Sequence, residues 1–296
     1  LSIKFLPLLA RKVLHISSVR CSSISFKYFP EPKKPFLIIL VFLITSEFLD
    51  WSVPSELELE LNLEKLDLLD LSFSLEKDSQ FYKELMEVYD VSMDITKKGD
   101  ASEEIEIAQF WDCNPYVSVT RGHLMFATKK ITPGAHWIGI TKIACKNEDL
   151  DFDEVVYAYT KTSISIFEAF ISCWDEKYRS NLVRPETLIN KYLDNDWKPI
   201  LQTPPFPEYT SGHSVVSGAA ATVLTTVFGK NFSFLDDTET IYGLPIRPFS
   251  SFNAAAQEAA ISRMYGGIHY RAAVDVGIDQ GIKVGELVNK RLQMKN

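Results

Sequence analysis

The sequence lacks the paired cysteines of a zinc-binding or disulfide-rich protein. It has four cysteines, namely Cys21, Cys113, Cys145 and Cys173. None forms a CxxC pair and none has a histidine nearby in metal-ligand spacing, which argues against a zinc site. One or two disulfides could form in an oxidising compartment, but the spacing does not assign them.

The chain also lacks an excess of positive charge. Its formal net charge is −8, which argues against a nucleic-acid partner held by bulk attraction. The charge is uneven, because residues 1–34 hold seven Lys/Arg and a single acid, Glu31. The rest of the chain is therefore strongly acidic.

No apolar run is long enough for a confident membrane span. Residues 36–45, F-L-I-I-L-V-F-L-I-T, follow two lysines and have the length of a signal-peptide core. Because about 35 residues precede this run, we predict an export signal behind a spurious or processed leader. The alternatives are a short anchor that associates with the membrane, or a buried helix. Residues 54–76 alternate Glu and Leu and then lose the pattern, so residues 1–77 are predicted to be leader, signal-like run and poorly ordered linker.

Strand signals are scarce after residue 80, and helical periodicity dominates. The pattern predicts helices from residue 78 and near 121–130, 136–147, 151–180, 186–194, 212–228, 252–264 and 271–293. Gly277, Gly281 and Gly285 lie four apart on one predicted helix face, where a neighbouring helix could approach closely. The sequence predicts an all-α helical bundle that forms one domain over residues 78–296.

The stretch Y-T-S-G-H-S-V-V-S-G, at positions 209–218, predicts a capped helix with an anion site at its start. Three prolines precede it and keep the approach extended, and small apolar residues follow it and favour helix. Ser211 stands where an N-cap is expected, so Gly212 and His213 fall in the first turn, whose free N–H groups attract an oxyanion. His213 would stand beside that anion with a proton to give or take. Taken alone, the stretch also fits an ordinary capped helix with a surface histidine.

A second cluster, Lys177-Y-R-S-N-L-V-Arg184-Pro185, contains two cations seven residues apart. They point the same way if a helix persists between them. Two neighbouring cations repel each other unless an anion lies between them. The alternative is a solvated basic helix end.

A third cluster is Ser262-Arg263-M-Y-G-G-I-His269. An unbroken helix would place Arg263 and His269 on different faces. Gly266 and Gly267 predict a helix end and a turn that lets His269 come back toward Arg263. The alternative is a glycine C-cap beside a core histidine.

The three clusters together supply three cations, two imidazoles and a helix N-terminus. A charge-assisted hydrogen bond contributes about 1.5–3 kcal/mol, so several must act together to offset the desolvation of a multiply charged anion. One histidine would bind or attack the central atom, and the other would move a proton. This set is what a tetrahedral oxyanion requires.

In their order along the chain, the three clusters resemble a three-part signature. It belongs to the type 2 phosphatidic-acid phosphatase and vanadium-dependent haloperoxidase superfamily, and its parts here are Lys177-x6-Arg184-Pro185, Ser211-Gly212-His213 and Ser262-Arg263-x5-His269. The signature covers residues 177–269. The pattern of predicted helices from about residue 100 to 293 is similar to that of the haloperoxidase-related bacterial branch.

The resemblance implies a role for each residue of the signature. His269 would be the axial partner, which is a vanadium ligand in a haloperoxidase and a phosphorylated nucleophile in a phosphatase. His213 would be the acid–base residue. The oxygens of phosphate or vanadate would be bound by five residues: Lys177, Arg184, Ser211, Gly212 and Arg263.

Vanadate and phosphate are similar in shape, so one pocket can host either chemistry. We expect a haloperoxidase that uses bound vanadate and hydrogen peroxide to oxidise halide, because the folded region lacks the several membrane spans of the lipid phosphatases. The alternatives are a soluble acid phosphatase, which hydrolyses a phosphate ester without vanadate, and a non-catalytic relative that binds phosphate.

Two positions depart from the pattern of the superfamily. Thr210 replaces the usual Pro before S-G-H. Ala273 stands where the phosphatases have an Asp four residues after the second histidine, so Asp275 is the candidate for orienting His269. His136 is predicted to be structural, and Asp236 is predicted to lie in a solvated turn.

Overall fold

The computed structural model describes residues 74–99, 102–113, 117–121, 124–128 and 131–293. Every described residue lies in one compact unit, Leu59–Asn296. The signal-like run at 36–45 and nearly all of the predicted linker lie outside the described residues. The predicted boundary between residues 77 and 78 stays a prediction.

The described part of the chain is mainly helical, and the all-α prediction is confirmed. Most helices begin at a residue whose side chain accepts a hydrogen bond from the first turn, which satisfies an N–H that the helix leaves unpaired. The helices, in chain order, are α1 (Gln80–Lys98), α2 (Glu103–Phe110), α3 (Pro133–Asn147), α4 (Phe152–Ser180), α5 (Pro185–Tyr192), α6 (Gly212–Phe228), α7 (Phe252–Tyr265) and α8 (Arg271–Arg291).

Helix α6 lies at the centre and packs against α4, α7 and α8. Its residues from Ser214 to Ala221 are all buried, as expected of a helix that is apolar and small on every side. The prediction of a close approach by the glycines of α8 is confirmed, because a Cβ added to Gly281 would lie 2.2 Å from the carbonyl oxygen of Val215. Backbone contact of this kind places the start of α6 firmly against α8.

The predicted helix at 121–130 is wrong. The backbone there forms a two-stranded antiparallel hairpin of β1 (Val117–Arg121) and β2 (Leu124–Thr128). The β-branched residues Val117, Val119 and Thr120 in β1 favour a strand over a helix. A second hairpin pairs β3 (Phe234–Asp236) with β4 (Arg247–Phe249), and a 3₁₀ turn, Thr240–Tyr242, lies between them.

Asp236 does not lie in a solvated turn, because its side chain is fully buried against His136.

Three cysteines of the described residues, Cys113, Cys145 and Cys173, are buried free thiols. Within the described ranges no helix combines the length and apolar character that crossing a bilayer demands.

Candidate active site

The structure places the predicted site residues at helix ends and connections around the start of α6. The cations and one imidazole are buried, while Gly212 and His213 are partly exposed. The exposed fractions of the buried members are Lys177 0%, Arg184 5%, Ser211 0%, Arg263 2% and His269 3%. Three cations and an imidazole rarely lie in a protein interior without a negatively charged partner.

Lys177 ties the end of α4 to the segment that leads into α6. Its Nζ donates to the carbonyl oxygens of Pro207, Glu208 and Thr210 at 3.0, 2.9 and 2.5 Å. These acceptors match the three N–H bonds of an ammonium group. Burial lowers the pKa of Lys177 to about 8, so the side chain remains charged at neutral pH.

Arg184 reaches the same place by a different route from the one expected. The helix does not persist between the two cations, because α4 ends at Ser180 and Asn181 adopts a left-handed conformation with φ of 49°. Arg184 is instead the N-cap residue of α5. Its Nη1 donates to the carbonyl oxygen of Ile268 at 2.8 Å, and its Nε donates to that of Phe206 at 3.0 Å.

The ring of His269 is held at both nitrogens. Nδ1 lies 2.6 Å from Glu208 Oε1, and Nε2 lies 3.0 Å from Arg184 Nη1. Arginine can only donate, so Nε2 accepts and Nδ1 carries the proton that it donates to Glu208. This tautomer places the lone pair on Nε2, where a central vanadium or phosphorus atom would bind in place of the hydrogen bond from Arg184.

Glu208 is a member of the site that the sequence analysis missed. Its carboxylate is fully buried, and Oε1 also accepts a hydrogen bond from the backbone N–H of Tyr270 at 3.0 Å. Burial raises the pKa of Glu208 to about 7, although Arg184 and Lys177 oppose that rise. The available signal was a single acid between the prolines and the S-G-H motif.

Gly266 and Gly267 turn the chain as predicted. Helix α7 ends at Tyr265, and Gly267 has a φ of +74°, a backbone conformation that glycine adopts without strain. His269 therefore returns to the same region as Arg263, whose charge contributes to lowering the pKa of His269. Arg263 Nε donates to Ser262 Oγ at 2.9 Å, and its Nη2 donates to the carbonyl oxygen of Ala108 at 3.2 Å.

His213 lies in the first turn of α6, below the Ser211 cap. Its Nε2 is buried and has no hydrogen-bond partner in the described part of the chain, and the Trp111 backbone interacts with its ring and favours the protonated form. Burial and the nearby Arg263 lower the pKa of His213 well below its usual value. Burial and Arg184 do the same for His269, so both rings are neutral at pH 7 before an anion binds.

Two aromatic rings flank the cations on the side that is partly open. The Phe206 ring lies 5.3 Å from Lys177 Nζ and 5.1 Å from the Arg184 guanidinium carbon. Trp174 packs beside Phe206, with ring centroids 5.2 Å apart. Both rings are half-buried, so an apolar wall adjoins the charged site.

Asp275 does not contact His269. It is exposed on α8, and Glu208 occupies the position at Nδ1 that Asp275 was predicted to take.

At the other departure from the pattern, the Thr210 hydroxyl donates to Gln280 Oε1 at 2.7 Å. A proline there could not make this bond, so Thr210 adds a polar link between the start of α6 and α8.

The residues present fit a tetrahedral oxyanion such as vanadate. The three buried cations lie near two acids, Glu208 and Asp112, so positive charge is in excess. His213 Nε2 has no partner among the described residues, and the α6 N-terminus offers backbone N–H groups. An oxyanion would satisfy all three of these deficits. The donor set has no thiolate, and hard oxygens with one imidazole nitrogen suit vanadate.

Comparisons with known proteins agree with this geometry. A family model described as the VCPO second helical-bundle domain matches residues 158–296. The crystal structure titled as the first bacterial vanadium-dependent iodoperoxidase is 66% identical, with a TM-score of 0.71, and the match covers 75% of this chain and 51% of that one. This chain thus spans about half the length of that relative. No curated protein matches the chain significantly.

Two structures of a bacterial vanadium-dependent chloroperoxidase share the fold. The holo-type structure is 18% identical with a TM-score of 0.53, and the match covers 72% of this chain and 48% of that one. The apo-type structure is 17% identical with the same TM-score, and the match covers 72% and 49%.

Proposed function

Because the chain belongs to the superfamily of type 2 phosphatidic-acid phosphatases and vanadium-dependent haloperoxidases, we propose that it is a vanadate-dependent haloperoxidase. It would oxidise a halide with hydrogen peroxide. The 66% identity to an iodoperoxidase over three quarters of the chain supports this choice within the superfamily. Iodide is therefore the first halide to test.

Each side chain of the site has a role in this reaction. Lys177, Arg184 and Arg263 would neutralise the anion, and His269 would bind its central atom through Nε2 while Glu208 holds Nδ1. The vanadate, when bound, supplies a Lewis acid that polarises the peroxide. Burial of the cations strengthens each of these interactions, because the local dielectric constant is low.

His213 is the group placed to move a proton. Halide, hydrogen peroxide and one proton give hypohalous acid and water, so one proton is consumed in each turnover. Burial and Arg263 lower the pKa of His213, and a bound anion would offset the charge of Arg263 and raise that pKa. The ring would then accept a proton from solvent and donate it to a peroxide oxygen.

The experiment loads the full chain with orthovanadate and follows peroxide-dependent oxidation of iodide, bromide and chloride. Arg263→Ala and His269→Ala should lose activity, whereas Arg179→Ala removes an arginine on α4 that is about half exposed and ion-paired at the surface and should retain it. Failure of the vanadate-loaded protein to oxidise any halide would refute the proposal.

One observation favours a second candidate, an acid phosphatase. Glu208 supplies the carboxylate partner of His269 that the absence of an Asp at position 273 had put in doubt, and a phosphorylated histidine needs such a partner. Hydrolysis of p-nitrophenyl phosphate with vanadate inhibition, and trapping of phosphate on His269, would support it. Phosphate binding without either activity would indicate a non-catalytic relative.

We also propose export, with the signal in the apolar run at residues 36–45. The support is the length of that run and the two lysines before it. Sequencing of the N-terminus of the mature protein, from cells that express the complete gene, tests it.

A further inference from the structure

A second buried cluster lies behind Trp111 and contains three potential metal ligands. Cys113 follows α2, His136 lies in the first turn of α3, and Glu239 precedes the 3₁₀ turn. Their exposed fractions are 2%, 0% and 1%. One ligand atom from each residue lies within 4.8 Å of the other two.

The His136 ring is oriented as metal-binding imidazoles are. Its Nε2 lies 2.8 Å from Asp236 Oδ2 and 2.8 Å from Thr238 Oγ1. A carboxylate on one ring nitrogen fixes the tautomer and raises the basicity of the other, as in metal sites. The other nitrogen, Nδ1, lies 3.7 Å from Cys113 Sγ, which is within hydrogen-bond distance for sulfur, and 3.3 Å from Glu239 Oε1.

Glu239 supplies an independent observation. Its Oε1 is buried and has no hydrogen-bond partner among the residues that the structure describes, although it lies at ion-pair distance, 3.3 Å, from His136 Nδ1. Asp236 differs, because its second oxygen accepts from the Thr238 N–H at 3.0 Å and from the Thr238 hydroxyl at 2.7 Å. An unsatisfied buried carboxylate oxygen is costly, so Glu239 needs a cation or a proton donor at this position.

Two of the three separations between ligand atoms are close to those of tetrahedral zinc. Bond lengths of about 2.3 Å to sulfur, 2.0–2.1 Å to nitrogen and 2.0–2.2 Å to oxygen put sulfur and nitrogen about 3.6 Å apart, and nitrogen and oxygen about 3.4 Å apart. The observed separations are 3.7 and 3.3 Å. We propose that Cys113, His136 and Glu239 supply three of the four ligands of a zinc ion, with Asp236 as the residue that orients His136.

The alternative occupant is a proton on Nδ1, which would be donated to Glu239. It would leave Cys113 as a thiol, with no thiolate–metal bond. A metal requires Cys113 as a thiolate ligand, so the two interpretations differ in a spectroscopic property as well as in metal content.

The zinc would join three segments of chain that adjoin the active site. Trp111 stacks on the His136 ring with centroids 4.4 Å apart, and the Trp111 backbone interacts electrostatically with His213. Fixing Cys113 would therefore fix the segment that supports the His213 ring.

To test this, the full chain is produced in cells grown in zinc-supplemented medium and, separately, in cells grown in zinc-depleted medium with cobalt. Elemental analysis should find about one zinc per chain, and the cobalt protein should show thiolate-to-cobalt charge-transfer absorption. Cys113→Ser should lose both signals, and Asp236→Asn should weaken zinc retention about 10–100-fold. Cys145→Ser, which removes another buried free thiol, should retain both.

The wild-type cobalt spectrum decides the question even if Cys113→Ser fails to fold, and Glu239→Gln provides a second ligand variant. Absence of zinc and of thiolate–cobalt absorption in the wild type would overturn the proposal in favour of the proton. Equal zinc in Cys113→Ser and Cys145→Ser would overturn it as well, because the metal would then be bound elsewhere.

Discussion

Replacing Glu208 with glutamine tests whether its charge positions His269. Glutamine keeps the size and an oxygen that can accept from His269 Nδ1 and the Tyr270 N–H, which now bond to Oε1 at 2.6 and 3.0 Å. The negative charge is lost, and an amide NH₂ group replaces Oε2. Hydrogen bonds to charged groups contribute about 1.5–3 kcal/mol and neutral ones about 0.5–1.5 kcal/mol, so the bond should weaken by about 1 kcal/mol or more.

We expect vanadate affinity and halide oxidation by Glu208→Gln to fall about 10–100-fold, the range for residues that orient a metal-bound histidine. The loss should depend on pH. Burial raises the pKa of Glu208 to about 7, so at about pH 6 the wild-type carboxyl is largely protonated and resembles glutamine. The difference should be large at about pH 8 and small at about pH 6, measured by vanadate titration of activity.

Glu84→Gln is the matched control. Glu84 is another buried carboxylate, 6% exposed, and it accepts from the Ala272 N–H at 3.4 Å without contacting a cation of the site. This variant should lose some stability and keep its vanadate affinity. The argument would be refuted if Glu208→Gln lost the same factor in vanadate affinity at both pH values. It would also be refuted if Glu208→Gln and Glu84→Gln lost vanadate affinity equally.

Three further predictions concern stability. Vanadate or phosphate at 100 times its Kd should raise the free energy of unfolding by about 2.7 kcal/mol, and Arg263→Ala should abolish this effect in thermal unfolding. The folded protein holds a proton on Glu208 between its usual pKa of 4.5 and about 7, so this group's contribution to stability falls as pH rises through that window. Denaturant unfolding at several pH values in this range should show that the free energy of unfolding depends less steeply on pH in Glu208→Gln than in the wild type. Gly281→Ala should destabilise by about 1–3 kcal/mol or more, because its Cβ would lie 2.2 Å from the Val215 carbonyl oxygen. Asp279→Ala, at an exposed position of the same helix, should change stability by less than about 0.5 kcal/mol.

The sequence by itself determined the features that depend on neighbouring residues. Ser211 caps α6, Gly267 turns the chain after α7, and the glycines of α8 lie on one face, because each depends only on local conformation or helical spacing. The order of the three clusters was also enough to indicate a superfamily. The hairpin at 117–128 was missed because short strands carry weak signals and the local propensities conflict.

Only the tertiary structure decided which distant groups meet. Glu208, rather than Asp275, contacts His269, and Lys177 and Arg184 converge through a helix break instead of along one helix. Burial then fixed the chemistry, since it raises the pKa of Glu208 and lowers those of the site histidines. Desolvation depends on everything packed around a group, and no local pattern in the sequence encodes that environment.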